Sequence, residues 1–192
     1  LLEAFLLVFI VVYIFLQDFR STLIPAIAVP VSLVGTFFFL QIFGFSLNLL
    51  TLSALVLAIA IVVDDAIVVV EAVHAKLDEG YDSARTASMD AMHEISGAII
   101  SITLVMAAVF VPVSFISGIS GTFYREFGVT MAVSIVISAV NALTLSPTLC
   151  ALLLKPHKGH EGKKLSFIDR FHLAFNAVYE NRVLRPYRKG VE

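Results

Sequence analysis

Ala60-Ile-Val-Val-Asp-Asp-Ala-Ile-Val-Val-Val-Glu71 decides the reading of this chain. Two adjacent carboxylates, Asp64 and Asp65, stand inside an apolar run that extends over about 47–73. That run is longer than the ~20 mostly apolar residues that carry a helix across a ~30 Å hydrocarbon core. Four comparable runs surround it, over 1–16, about 23–43, about 95–116 and about 127–154. The whole chain has 192 residues, 59% of them hydrophobic and 15% charged, with a mean hydropathy of +0.95. Soluble domains are about half apolar and about a quarter charged. The balance excludes a soluble globular domain, a disordered chain and a nucleic-acid binder. A net charge of −2 offers nothing to a polyanion. One cysteine, Cys150, excludes a disulfide scaffold. The expected fold is therefore an all-α membrane protein with five transmembrane helices.

The few charges orient the spans. With five crossings, the loops at 17–22 and 74–94 and the tail from Lys155 share one side. They hold twelve of the thirteen Lys and Arg residues, while the opposite loops at 44–46 and 117–126 hold only Arg125. Basic loops stay in the cytoplasm. Residue 1 is thus expected on the outer side and the tail inside. The chain opens on Leu1 directly in apolar sequence, with no basic region and cleavage site of a signal peptide. That start is expected to be cut from a longer chain.

Pro25 is expected in the first turn of the second span, where a missing N–H costs little. Pro30 is interior and is expected to kink the helix. After the 1–154 membrane region, 155–165 reads as a polar cytoplasmic loop. Ile168, Phe171, Phe175, Val178 and Tyr179 then share one face of a helix over 166–185. An aromatic-rich amphipathic helix beside a membrane lies in the interface plane, although a helix of a following soluble domain has the same pattern. Residues 186–192 continue beyond it as a truncated segment.

A charge at the bilayer centre costs at least ~2.5–3.5 kcal/mol even on the gentlest scale. Two adjacent carboxylates also disfavour each other's ionisation. One or both are expected to bind a proton unless a cation sits beside them. None of the five runs contains Lys or Arg. Either the pair is protonated or its cation comes from outside these residues. Consecutive residues point about 100° apart on a helix, so each carboxylate reaches a different neighbour. Ala54 and Ala58 lie on the Asp65 face and permit close helix packing. Ser134, Ser138 and Asn141 follow i, i+4, i+7 spacing on the fifth run and are expected to face the pair. Ordinary packing of Ser and Asn between helices would use the same spacing.

Glu71 lies near the basic end, within reach of water or Arg20, and Glu3 lies near the opposite end. Either is a supporting acid or a solvated end residue. His157 and His160 have an H-x-x-H spacing in a Gly/Lys loop, too little for a metal site. The chain shows no nucleophile–base set and no nucleotide motif.

Val62-Val-Asp-Asp-Ala-Ile-Val-Val-Val-Glu71 resembles the fourth transmembrane helix of resistance–nodulation–division (RND) efflux transporters. The likeness continues in Phe15-Leu-Gln-Asp-Phe-Arg20, Thr22-Leu-Ile-Pro-Ala-Ile-Ala-Val-Pro30, Gly35-Thr-Phe37 and Phe43-Gly-Phe-Ser46. It also runs through Val109-Phe-Val-Pro112, Tyr124-Arg125 and Ser146-Pro-Thr-Leu-Cys150. It covers essentially 1–156 and points to the AcrB-like hydrophobe/amphiphile branch. Heavy-metal RND pumps usually carry a single Asp followed by Gly here. Ala60 departs from the Gly the family often has four residues before the first Asp.

The resemblance implies that residues 1–154 are transmembrane helices two to six of a twelve-helix protomer. It implies a homotrimer in a bacterial inner membrane that exports amphiphilic compounds in exchange for protons. It implies no cofactor beyond the coupling proton, and a periplasmic adaptor and an outer-membrane channel as partners. It assigns proton translocation to Asp64 and Asp65, with cationic partners in the second transmembrane half. Ser138, Asn141, Glu3 and Glu71 are the candidate relay or supporting residues. Two other functions compete. A lipid- or sterol-sensing five-helix module needs no intramembrane charge. An intramembrane aspartyl protease needs two carboxylates on one water, which adjacent residues on one helix serve badly.

Overall fold

Asp18 separates the first two helices by capping the second. Its backbone is extended and its side chain accepts hydrogen bonds from the N–H groups of Arg20 and Ser21, satisfying donors that a helix start leaves orphaned. Asn48 does the same for the third helix. It forms a capping box with Thr51, whose hydroxyl accepts the Asn48 backbone N–H. Ser83 caps the fourth. The computed structural model describes residues 2–118 and 120–155. Within them the chain forms α1 (Leu2–Leu16), α2 (Phe19–Ile42), α3 (Leu49–Asp78), α4 (Ala84–Val113), α5 (Gly121–Leu143) and α6 (Leu145–Leu153). The segments expected over 155–165, 166–185 and 186–192, with His157 and His160, lie outside the described residues apart from Lys155.

The protein is an all-α membrane protein. By length and composition, α2, α3, α4 and the run Gly121–Leu153 can each cross a membrane. The apolar α1 is shorter, at 15 residues. Four expectations need correction. The loop over 17–22 shrinks to Gln17 and Asp18, because the Asp18 cap starts α2 at Phe19. Pro25 is therefore the seventh residue of α2, an interior position, and the helix continues through both Pro25 and Pro30. The loop over 74–94 is mostly helical: α3 continues to Asp78, and α4 starts at Ala84 under the Ser83 cap. The fifth run divides at Thr144, whose φ of −122° and ψ of −60° leave the helical region. Pro147 explains the break. It has no N–H for the Leu143 carbonyl, and its ring crowds that carbonyl.

α3 is the central element, packing against α1, α2, α4, α5 and α6. Its apolar sides divide among three clusters. Val69, Val70 and Val73 meet Ile24, Ala87, Ile99 and Cys150 at the basic end. Ile59, Val62 and Ala66 meet Val12, Ala28 and Val29. Ala54 and Ala58 meet Met131 and Ile135 of α5. The small residues on the Asp65 face thus bring α5 close, as packing without a hydrophobic driving force requires. Gly35 does the same between α2 and α5, since a Cβ there would stand 3.3 Å from the Ile137 Cδ1. Large apolar side chains remain exposed along the bundle, among them Leu7 and Phe38 and, on α4, Leu104 and Val105. A surface of that kind suits lipid or further helices.

Candidate functional site

Asp64 and Asp65 are the sixteenth and seventeenth of the thirty residues of α3, at its midpoint. The extension of the helix to Asp78 centres the pair more closely than the sequence run does. The two carboxylates diverge as expected for consecutive helical residues. Asp65 is half-buried, and its Oδ2 accepts a hydrogen bond from the Ser138 hydroxyl of α5. Asp64 is exposed and lines a groove of about 440 Å³ between α1 and α3, beside Leu7, Val8, Val11 and Ile67. Among the described residues, the ion pairs are those of Lys76 with Glu79 and Glu94, and none reaches Asp64 or Asp65. The pair therefore presents one carboxyl to α5 and the other to a groove.

Of the stripe Ser134, Ser138 and Asn141 on α5, the structure brings only Ser138 to the pair. Asn141 is 8% exposed and its Nδ2 donates to the Ser32 hydroxyl of α2 at 2.7 Å. Ser134 meets Thr36 of α2 at 3.2 Å, hydroxyl to hydroxyl. The expectation that the whole stripe faces the pair is thus corrected. The α5 face is shared by α2 and α3, and a spacing of i, i+4, i+7 fans out enough to reach both. Ser32 and Thr36 were not identified from the sequence. Their spacing of four residues on α2 was the available signal.

Glu3 is exposed in the first turn of α1, and Glu71 is exposed on α3, away from the pair. Glu71 lines a second groove with Asp18, His74 and Asp78. Arg20 does not turn to Glu71: its Nη1 donates to the Leu153 carbonyl at 3.3 Å, covering an orphaned C-terminal carbonyl of α6.

The sequence reading also missed a polar chain at the basic end. Ser21 donates to Asp18 Oδ2 at 2.7 Å, and His74 Nε2 lies 2.6 Å from the same Ser21 hydroxyl. With the single Ser21 proton committed to Asp18, His74 Nε2 acts as the donor. Burial pushes the Asp18 carboxyl up. The hydrogen bonds from the Ser21 hydroxyl and the Ser21 and Arg20 N–H groups, with His74 nearby, outweigh it and hold the carboxyl below its ordinary value. A depressed acid stabilises the fold above its unfolded value, near pH 4, and that stabilisation is lost as pH falls through the folded value. Asp18→Ala should cost about 1 kcal/mol as a lost helix cap. Thermal unfolding of the purified full-length protein checks this. The deficit should begin to shrink as pH falls below about 4, the ordinary carboxylate value, and should vanish as pH passes the lower value at which folded Asp18 itself takes a proton; an equal deficit at neutral pH and in this acid range contradicts the ionised cap.

The profile of the AcrB/AcrD/AcrF family matches residues 1–192. The chain is 46% identical to the multidrug export protein AcrF of Escherichia coli strain K12 over 177 residues, which are 92% of this chain and 17% of that protein. It is 45% identical to the multidrug resistance protein MdtF of the same strain over 91% of this chain and 17% of that protein. It is 44% identical to the toluene efflux pump membrane transporter TtgB of Pseudomonas putida over 100% of this chain and 18% of that protein. The chain spans less than a fifth of the length of these curated relatives.

Proposed function

This chain belongs to the AcrB/AcrD/AcrF family of RND efflux transporters, and from that premise we propose that it carries one half of the proton-translocation site of a drug/proton antiporter. The observation that supports this reading is the midpoint pair Asp64 and Asp65, with no cation beside it among the described residues. A carboxylate held at that depth is costly, and proton binding is what the arrangement does best. Asp64 and Asp65 take up the coupling proton. Ser138 orients one of them. Cationic side chains from the rest of the transporter supply the countercharge in the deprotonated state. Protonation then releases that electrostatic grip, and the helices shift against the second transmembrane half. One charge crossing the membrane field contributes about 2.3 kcal/mol per 100 mV, enough to bias a two-state element.

The relatives are described as multidrug and toluene efflux proteins. The cargo proposed here is accordingly amphiphilic or apolar small molecules. The site is a bacterial inner membrane, with residue 1 on the periplasmic side and the tail from Lys155 in the cytoplasm. The assembly is a homotrimer working with a periplasmic adaptor and an outer-membrane channel. No cofactor other than the proton is required.

The full-length transporter in proteoliposomes tests the coupling. An imposed pH gradient should drive dye transport, and dye movement should release or consume protons in step. A protonophore should stop it. Transport that continues at the same rate after the gradient is dissipated overturns the assignment.

A further inference from the structure

The contact between Ser138 and Asp65 depends on how α5 is rotated about its own axis. Two hydrogen-bonded pairs, both to α2, set that rotation on either side of Ser138. One turn toward Gly121, Ser134 meets Thr36 at 3.2 Å. Three residues toward Leu143, Asn141 donates to Ser32 at 2.7 Å. The residues concerned are buried: Thr36 is 1% exposed, Ser32 and Ser134 are each 2% exposed, and Ser138 is 1% exposed.

The two pairs are not equivalent. Thr36 can also donate to the Ser32 carbonyl at 2.9 Å, and Ser134 to the Thr130 carbonyl at 2.8 Å. Their two hydroxyl protons thus serve three contacts, and the cross-helix bond competes with the local ones. The Asn141 amide donates to Ser32 with no such competitor among the described hydrogen bonds. Gly35 lies between Ser32 and Thr36 and lets Ile137 close against α2, so the pins act across a tight seam.

We propose that the Asn141–Ser32 hydrogen bond is a brace that positions Ser138 against Asp65, making Asn141 and Ser32 positioning residues for proton binding. The proposal rests on the reading of Asp64 and Asp65 as the proton site. Asp65 has one acidic neighbour on its own helix, Asp64. Level with the pair, residues 23–42 of α2, 95–113 of α4 and 127–143 of α5 contain no Asp, Glu, His, Lys or Arg. α1 contributes only Glu3 and Tyr13, near its ends, and α6 only Cys150. Among the described residues, Ser138 is the side chain that hydrogen-bonds Asp65 across a helix interface, and through that bond it can bias the protonation of Asp65.

A hydroxyl that donates to a carboxylate steadies its charged form. Without the brace, α5 can turn, the Ser138 donor is lost for part of the time, and the proton is released less readily. The transport profile then moves to more alkaline pH.

The test uses the full-length transporter in proteoliposomes, with proton-driven dye transport measured across pH. Asn141→Val and Ser138→Ala should each shift the profile in the alkaline direction and slow transport about fivefold near neutrality, the size of one lost hydrogen bond. In the Ser138→Ala background, Asn141→Val should shift the profile no further, because the brace acts through Ser138. The Ser32→Val/Asn141→Val pair removes both polar groups, so no buried partner is orphaned and the fold is preserved. It should recover thermal stability yet keep the shifted profile.

An unshifted profile in Asn141→Val, an additive shift on Ser138→Ala, or a normal profile in the double Val variant would each reduce the pair to simple packing. Those results leave Asp64→Asn and Asp65→Asn inactive. Active Asp variants instead defeat the underlying proton-site reading.

Discussion

Asp65→Asn should reduce efflux by the full-length transporter to the background of cells without it, and Asp64→Asn should do the same independently. Each substitution is isosteric and removes a titrating proton while keeping a hydrogen-bond acceptor. In Asp65→Asn the amide oxygen can still accept from Ser138, as Asp65 Oδ2 does now, so the α3–α5 contact persists and the protein should reach the membrane in normal amounts. What is lost is the change of charge at the centre of α3, worth kcal/mol at this depth. Asp65→Glu keeps the proton but lengthens the side chain toward Ser138, and should retain partial activity. The measurement is dye efflux from cells, normalised to transporter in the membrane. Wild-type efflux in either Asn variant, at normal levels, rules out both carboxylates being required for coupling.

Gly128→Leu should have the largest effect on stability. Gly128 lies on α5 where it crosses α4 closely. A Cβ there would meet the Ser114 Oγ at 2.8 Å, the Phe110 carbonyl oxygen at 3.0 Å and the Ser114 nitrogen at 3.1 Å. Two of these are backbone atoms that no rotamer change can move. Even Gly128→Ala forces α4 and α5 apart, at a cost of about 1–3 kcal/mol as overpacking, and Leu adds three further carbons to the clash. The separation would loosen Phe110 and Met106 from Met131 and Ile135. Gly97→Ala on α4 is the control, because its Cβ meets nothing within 4 Å. It should be neutral or stabilising, as Ala in a helix usually is relative to Gly. Thermal unfolding of the full-length protein in detergent distinguishes them. Equal midpoints for Gly128→Leu and Gly97→Ala would contradict the close crossing.

The apolar runs were legible because membrane burial demands them residue by residue. Run length located α2, α3 and α4, and the interruptions at Asp18, Asn48 and Ser83 mark where helices begin. Hydropathy was misleading where polar sequence is also helical. Residues 84–94 read as a loop because they are charged, yet α4 begins at Ala84. Pro25 read as a first-turn residue because the apolar run starts at 23, while the Asp18 cap starts the helix four residues earlier. The break at Thr144 is encoded by Pro147, but an apolar run passes over it without a change in hydropathy.

At the site, the Asp pair and Ser138 stood out because charge and polarity are expensive at membrane depth. Their neighbours did not. Ser21 and His74 are 53 residues apart, and Asn141 and Ser32 are 109 apart. The sequence by itself determined a helical membrane protein of the RND family with two carboxylates on its central helix, because length, hydropathy and local motif are properties of one strand of chain. Only the tertiary structure decided that Ser138 meets Asp65 while Asn141 and Ser134 turn to α2. Spacing says which residues share a helix face, whereas the rotation and crossing of neighbouring helices, set here by Gly35, Ala54 and Ala58, select the partner each residue touches.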